Sequence, residues 1–218
     1  MRIVFDLDGT LVDSAPDLMV ASNKMLAGEG LEPLDLATIT SFIGNGLPKL
    51  VERVMRARAI APQHFERLYD EVKDFYNAAP ADESRPMPGA VDLLKKLKAE
   101  GHALGVCTNK PEEPARLILS LLGLETYFDA VVGGDALPEK KPHPAPLNLA
   151  FEQLGAGERL YVGDSDVDAE VALAAEVPFA IYAFGYRKQA IGGLPHDCRF
   201  GHFSGVAGFV DNLAGAAK

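Results

Sequence analysis

Short apolar runs alternate with helical patterns along most of the chain. The runs are bounded by Gly, Asp, Asn or Pro, as buried parallel strands usually are. The strand candidates are Arg2–Phe5, Ala103–Cys107, Ala130–Val132, Leu160–Val162 and Phe179–Tyr182. The helices predicted between them are Ala90–Glu100, Pro111–Leu122, Pro144–Leu154 and Asp166–Ala175. This alternation predicts an α/β protein with a doubly wound parallel sheet.

The segment after the first strand breaks this rhythm, because it contains helical patterns and no convincing strand. These helices are Pro16–Ala27, Leu36–Phe42, Leu47–Ala59 and Gln63–Ala78. A polar, Pro-rich linker follows them, with the sequence AAPADESRPMPG. We therefore predict an all-helical domain of residues 15–83, inserted into an α/β core domain made of residues 1–14 and 84–218.

The charge balance narrows the range of partners. The chain has 218 residues with 21 Lys and Arg against 31 Asp and Glu, for a net charge of −10. An acidic chain repels nucleic acid and anionic membranes at long range, whereas a small phosphate ester can bind where a cation reverses the local sign. The N-terminus MRIVFDLDGT does not resemble a signal peptide. We expect a cytoplasmic protein, either a monomer or a homodimer, with no nucleic-acid or membrane partner.

Acidic residues follow two of the predicted strands. Asp6 and Asp8 come after the first strand, and Asp164 and Asp168 come after the fourth. Because ligands bind outside the carboxyl ends of parallel strands, neighbouring strands would bring these four carboxylates together. Carboxylates at close range repel one another, and a hard cation with oxygen ligands relieves that repulsion. The pattern indicates a Mg²⁺ site.

Two further loops supply groups that can bind phosphate. Thr108 and Asn109 follow the second strand and precede a helix, so a hydroxyl and helix-start amides can cradle an anion. Lys141 follows the third strand in the segment KKPHP, where Pro142 and Pro144 stiffen the loop. A stiff loop can hold the Lys141 ammonium group at a phosphoryl group. Each of these residues also has a structural alternative, as a helix cap or a solvated side chain. Their joint occurrence after four strands favours a site.

Four segments resemble, in order, the motifs of the haloacid dehalogenase superfamily. They are FDLDGTLVDS, CTNK, KKPHPAPL and VGDSDVDAEVALAA. The resemblance extends from Ile3 to about Leu213, and it implies a phosphatase in which the helical insertion is a cap domain. It implies that Asp6 is the nucleophile and that Asp8 is the general acid and base, while Thr108 and Lys141 complete the catalytic set.

The resemblance also implies a ligand set. The Asp6 carboxylate, the Asp8 backbone carbonyl and Asp164 would hold Mg²⁺, and Asp168 would act on the metal through water or through Lys141. Other residues would bind the substrate. These are Gly9, Thr10 and Asn109 in the core and Gly44, Asn45 and Gly46 in the cap, where a helix start suits a carboxylate. Lys49 and Arg53 on the following helix could assist or could simply be solvated.

Within the superfamily, the wording of the cap and of the segments beside it is similar to the phosphoglycolate phosphatase subgroup. The similar segments are FIGNGL, RPMPG and FGY. Glu176 departs from the subgroup, since a glycine is common there, and the tail after His196 departs as well. The resemblance implies a small phosphorylated metabolite as substrate, specifically 2-phosphoglycolate. The alternatives are another small ester such as a sugar phosphate, a β-phosphoglucomutase-like isomerase, or a non-catalytic phosphorylation switch resembling a receiver domain.

Overall fold

The central sheet of this computed structural model, which describes residues 1–216 and side chains up to Leu213, is parallel throughout. Its strands are β1 (Arg2–Phe5), β4 (Ala103–Cys107), β5 (Ala130–Val132), β6 (Arg159–Gly163), β7 (Phe179–Tyr182) and β8 (Cys198–Phe200). The strand order is β5-β4-β1-β6-β7-β8. The register pairs Phe5 with both Val106 and Val162, so β1, β4 and β6 end side by side. The strands predicted from the apolar runs are confirmed, and β8 is an additional edge strand.

Helices cover both faces of this sheet. They are α5 (Ala90–Ala99), α6 (Glu112–Leu121), α7 (Ala145–Gln153), α8 (Asp166–Ala174) and α9 (Ser204–Ala216). Ile3 and Phe5 point into the cluster that contains the buried side chains of α5, α6 and α9, whereas Val4 points into the cluster of α7 and α8. This alternation along a strand places one apolar layer on each face. The doubly wound α/β fold predicted from the sequence is therefore confirmed.

The regular secondary structure of the inserted segment is entirely helical. Its helices are α1 (Ala15–Gly28), α2 (Leu36–Phe42), α3 (Leu47–Ala57) and α4 (Phe65–Ala78), with a 3-10 turn at Pro62–His64 before α4. The predicted helix over 63–78 was therefore too long, because the 3-10 turn occupies its start. The predicted helix over 47–59 was also too long, because Ala59 adopts a left-handed backbone with φ of 53°. The division into domains at residues 15 and 83 stays a prediction, as does its end at 218, since residues 217–218 lie outside the described part.

Two crossings connect the inserted segment to the sheet, and they are joined to each other. Strand β2 (Val12–Asp13) pairs antiparallel with β3 (Arg85–Pro86). Beside this pair, the buried Asp17 side chain accepts hydrogen bonds from the backbone amides of Glu83 and Ser84 at 3.0 and 2.8 Å. Because a buried carboxylate with amide partners is costly to leave unsatisfied, this contact fixes the outgoing and returning chains together. The two chain segments that connect the insertion to the sheet are thus held together by backbone pairing and by Asp17.

Glu176 occupies a position where glycine would be easier. It follows α8 with φ of 53°, a left-handed conformation that side chains other than Asn, Asp and Gly rarely adopt. The left-handed backbone explains why a glycine is common here in the subgroup that the sequence resembles.

Among the described residues, no helix is long and apolar enough to cross a bilayer.

Candidate active site

A cavity of about 350 Å³ separates the carboxyl ends of the strands from the inserted helices. Its wall contains most of the residues predicted from the motifs. They are Asp6, Asp8, Gly44, Gly46, Thr108, Asn109 and Lys141. Asp164 and Asp168 are buried directly beneath Asp6. The sequence motifs, which are spread over most of the chain, therefore meet at one place.

Asp6, Asp164 and Asp168 form the acidic floor of the site. One carboxylate oxygen from each residue lies within 4.8 Å of the others, and all three residues are buried. Burial and, to a smaller extent, the charge of Asp168 raise the pKa of Asp6 to about 7, against the opposing effect of Lys141. Burial also raises the pKa of Asp164 well above its usual value, together with the charges of Asp168 and Asp6. Three carboxylates in this position need positive charge.

Lys141 is the cation of this floor. Its Nζ lies 2.9 Å from Asp6 Oδ1, 2.7 Å from Asp168 Oδ1 and 2.8 Å from the Tyr161 hydroxyl. Burial by itself lowers the pKa of Lys141, but the two carboxylates raise it above the usual range, so the side chain stays charged. One ammonium group leaves the three acids with an excess of negative charge. The oxygen-only donor set therefore fits Mg²⁺, which prefers hard carboxylate ligands.

Asp168 holds Lys141 in place. Its Oδ1 accepts from Lys141 and from the Tyr161 hydroxyl at 2.6 Å, while its Oδ2 accepts from the Ser165 hydroxyl at 2.6 Å and the Ser165 amide at 3.0 Å. Ser165 in turn caps α8, where Asp168 is the third residue of a capping box. Burial would raise the pKa of Asp168, but Lys141 and these hydrogen bonds lower it. Both oxygens already have protein partners, which supports a role through Lys141.

Asp164 is oriented by Thr10. The Thr10 hydroxyl, which is completely buried, donates to Asp164 Oδ1 at 2.6 Å, and the Tyr186 amide donates to Oδ2 at 2.6 Å. The predicted contact of Thr10 with substrate stays a prediction, although its buried hydroxyl bonds to Asp164 and Thr10 does not line the cavity. Gly9 has φ of 86°, and a Cβ there would lie 2.6 Å from Asp164 Oδ2. Its absence of a side chain is required by this close approach.

Asp8 is held by two side chains that were not among the predicted site residues, and a third side chain supports one of them. Its Oδ1 accepts from the Ser14 hydroxyl at 2.6 Å and pairs with Lys110 Nζ at 2.6 Å. Lys110 also donates to the hydroxyl of Tyr76 on α4, at 2.9 Å. Burial lowers the pKa of Lys110, but Asp8 and Tyr76 raise it above the usual range. The position of Lys110 directly after Asn109 was an available signal, whereas Tyr76 has no signature in the sequence.

Asn109 joins two loops of the site. Its side-chain nitrogen donates to the Lys141 carbonyl, and its side-chain oxygen accepts from the Lys141 amide, both at 3.0 Å. The amide group of Asn109 therefore positions the loop of Lys141, and its predicted contact with substrate stays a prediction. Thr108 is buried and lines the cavity, and its hydroxyl accepts from the Lys110 amide at 3.2 Å. Gly134 lets this arrangement close, because a Cβ there would lie 2.3 Å from the Asn109 carbonyl oxygen.

The loop before α3 brings the inserted helices close to the loop after β4 that carries Thr108 and Asn109. Gly46 has φ of 82°, and a Cβ at this position would lie 3.7 Å from the Asn109 carbonyl oxygen. Gly44 and Gly46 line the cavity, and the side-chain oxygen of Asn45 between them accepts from Arg53 and Lys188 without lining the cavity itself. Lys49 pairs with Glu52 on an exposed face of α3 and does not approach the cavity wall.

Known proteins share the sequence and the fold. The family model described as haloacid dehalogenase-like hydrolase matches residues 3–182. A phosphoglycolate phosphatase of Cereibacter sphaeroides (strain ATCC 17029 / ATH 2.4.9) is 50% identical over 202 residues, which cover 92% of this chain and 93% of that protein. A phosphoglycolate phosphatase of Rhodospirillum rubrum is 40% identical over 222 residues, covering 95% and 90%.

A solved structure is similar over nearly the whole chain. It is the crystal structure of a predicted phosphoglycolate phosphatase from Haemophilus somnus 129pt. The TM-score is 0.90 at 31% identity, with 96% of this chain and 97% of that chain covered.

Proposed function

This chain belongs to the haloacid dehalogenase-like hydrolase family, and we propose that it is a Mg²⁺-dependent phosphatase that hydrolyses 2-phosphoglycolate through an aspartyl-phosphate on Asp6. The observation that carries the proposal is the Asp6 carboxylate in the cavity wall, with Lys141 at 2.9 Å and Asp164 beneath it. A carboxylate attacks a phosphoryl group only where positive charge offsets their repulsion. The relatives named phosphoglycolate phosphatase support the choice of substrate.

The metal would be held by the Asp6 carboxylate, the Asp8 backbone carbonyl and the Asp164 carboxylate. When bound, Mg²⁺ supplies positive charge that offsets the charge of the phosphoryl oxygens. Lys141 adds an ammonium group beside Asp6, and the Thr108 hydroxyl at the wall can donate to a phosphoryl oxygen. Thr10 and Asp168 contribute indirectly, since they orient Asp164 and Lys141.

The reaction would proceed in two displacements at phosphorus. In the first, an Asp6 oxygen forms a bond to phosphorus, the ester P–O bond breaks, and the departing glycolate oxygen takes a proton from Asp8. In the second, water attacks phosphorus, its proton returns to Asp8, and the bond between Asp6 and phosphorus breaks. Ser14 and Lys110 fix the Asp8 carboxylate at the cavity wall for both proton transfers.

A substrate panel tests the proposed function. Phosphate release from 2-phosphoglycolate is expected to exceed that from glucose 6-phosphate and from 2-hydroxyethyl phosphate by at least roughly tenfold in kcat/KM, because a site that pairs a substrate group rejects analogues that lack it. The 2-hydroxyethyl ester has the same chain length but no carboxylate. A higher kcat/KM for glucose 6-phosphate than for 2-phosphoglycolate would show that the substrate is a sugar phosphate. Conversion of β-glucose 1-phosphate into glucose 6-phosphate without phosphate release would show that the enzyme is an isomerase and not a hydrolase.

Asp8→Asn is expected to slow the first displacement more for 2-phosphoglycolate than for p-nitrophenyl phosphate. The alkoxide of glycolate needs a proton as it departs, whereas the nitrophenolate is stable without one. Single-turnover kinetics on both substrates measure this difference. The matched control is Asp13→Asn. Asp13 lies in the same segment as Asp8 and accepts from the Tyr186 hydroxyl, but it does not line the cavity. Equal losses on the two substrates in Asp8→Asn would show that Asp8 is not the acid.

A further inference from the structure

Two cations from different parts of the fold converge beside the cavity. Arg53 on α3 donates to the Asn45 side-chain oxygen at 2.8 Å, and Lys188, in the loop after β7, donates to the same oxygen at 3.2 Å. The other arm of the Arg53 guanidinium donates to the Phe42 carbonyl at 2.6 Å. One neutral amide oxygen is therefore the shared acceptor of two cationic side chains.

Neither cation has a carboxylate partner within the described residues. Lys49, one turn before Arg53 on the same helix, pairs with Glu52, and the two buried lysines of the site pair with Asp8 and Asp6. Arg53 and Lys188 form no ion pair of this kind among the described side chains. Partial burial and the Arg53 charge lower the pKa of Lys188, against the opposing charge of Asp166. A chain with a net charge of −10 thus keeps a local excess of positive charge here.

Arg53 and Lys188 do not line the cavity themselves, but Lys188 lies close to Gly44, which does. A Cβ on Gly44 would be 4.0 Å from Lys188 Nζ, and Gly44 lines the cavity. Gly46, two residues on, also lines the cavity and approaches the Asn109 carbonyl, in the loop that carries Thr108. A short ester whose phosphoryl group binds at Thr108 and Lys141 would therefore extend along this loop toward Arg53 and Lys188.

We propose that Arg53 and Lys188 bind the carboxylate of the substrate, replacing the Asn45 oxygen as their shared acceptor, and so select phosphate monoesters of short hydroxy acids. A carboxylate accepts two charge-assisted hydrogen bonds, whereas the amide oxygen offers only neutral ones. The Asn45 side chain then turns its amide hydrogens toward the carboxylate. This inference rests on the proposed function and assigns the specificity to side chains in addition to the backbone start of α3.

The test compares two esters of equal length. The ratio of kcat/KM for 2-phosphoglycolate to that for 2-hydroxyethyl phosphate isolates the contribution of the carboxylate, since loss of uniform binding cancels. Lys188→Met is expected to lower this ratio roughly 10- to 100-fold, because a lost hydrogen bond to a charged group has about that effect. Arg53→Lys keeps the positive charge but loses the two-pronged guanidinium group, so a smaller decrease in the ratio is expected. The inhibition constant of inorganic phosphate should stay unchanged in Lys188→Met.

Two control variants make the result specific. Lys49→Met removes a cation from the same helix that already has a partner, and it should leave the ratio unchanged. Lys73→Met removes the cation of α4 that lines the cavity, and it should leave the ratio largely unchanged as well. A ratio that falls in Lys73→Met but not in Lys188→Met would overturn the assignment.

The outcomes also separate this inference from the proposed function. A high wild-type ratio that persists in Lys188→Met and Arg53→Lys would overturn the carboxylate site and leave the phosphoglycolate phosphatase proposal standing. A wild-type ratio near one would overturn both.

Discussion

Asp6→Asn is expected to abolish phosphate release, by roughly four orders of magnitude or more, while the protein stays folded. An amide of the same shape is a poor nucleophile, so the first displacement at phosphorus cannot occur. Since the Asp6 side chain lies in the cavity wall beside Lys141, no other described carboxylate occupies the same place to substitute for it. Asp164 and Asp168 are buried beneath it with hydrogen-bond partners of their own.

The fold of Asp6→Asn should be at least as stable as that of the wild type in metal-free buffer. The substitution removes one of three mutually repelling buried carboxylates, and the remaining amide oxygen can still accept from Lys141. Rapid-quench trapping should give no phosphoenzyme, whereas the wild type should give one. The matched control is Asp135→Asn, because Asp135 lines the same cavity but accepts from the Glu112 amide. Substantial steady-state hydrolysis by folded Asp6→Asn would remove Asp6 from the mechanism.

Five of the six strands could be predicted because nearly all of their residues are buried. Buried parallel strands read as continuous apolar runs, and those at Arg2–Phe5 and Ala103–Cys107 match the structure residue for residue. The convergence of Asp6 and Asp164 followed from the rule that strands of such a sheet end at one edge. That rule needed only the assumption that their strands are neighbours, and β1 does pair with β6.

The pieces that escaped prediction are short or set by tertiary contacts. The β2–β3 pair has two residues per strand, too few for any period to be read. Strand β8 is a three-residue edge strand with a polar centre, Cys198–Phe200, and it pairs on one side only with β7. Helix α9 follows it, in a glycine-containing segment with few charges to mark its faces.

Side-chain partners were less predictable than side-chain positions. Asn109 and Lys141 were both placed at the site from sequence, but their reciprocal bonds connect loops that are 32 residues apart. Thr10 was predicted to bind substrate because it lies in the first motif, but the sequence did not reveal that its buried hydroxyl donates to Asp164. Such partners depend on how strands and loops stack, which local patterns do not encode.

Removal of the metal should stop catalysis and expose the electrostatic strain of the site. Chelation with EDTA is expected to eliminate phosphate release, and Mg²⁺ should restore it. A second readout does not depend on activity. Binding to the folded state at a hundredfold excess over Kd stabilises by about 2.7 kcal/mol, which corresponds to a rise in Tm of roughly 5–10 °C for a chain of this size.

Asp164→Asn should have opposite effects on the metal-free and the metal-bound protein. Burial and the charges of Asp168 and Asp6 raise the pKa of Asp164, so its ionised form is held at a cost in the metal-free fold. An asparagine can keep its oxygen toward the Tyr186 amide and its nitrogen toward the Thr10 hydroxyl, which can also accept. The variant should therefore melt higher than the wild type without metal, yet gain little from Mg²⁺ and show little activity. The matched control is Asp166→Asn, an acid in the first turn of α8 outside the cluster, which should keep the Mg²⁺-dependent rise in Tm. Full activity after chelation, or an undiminished Mg²⁺ shift in Asp164→Asn, would contradict a metal site at these carboxylates.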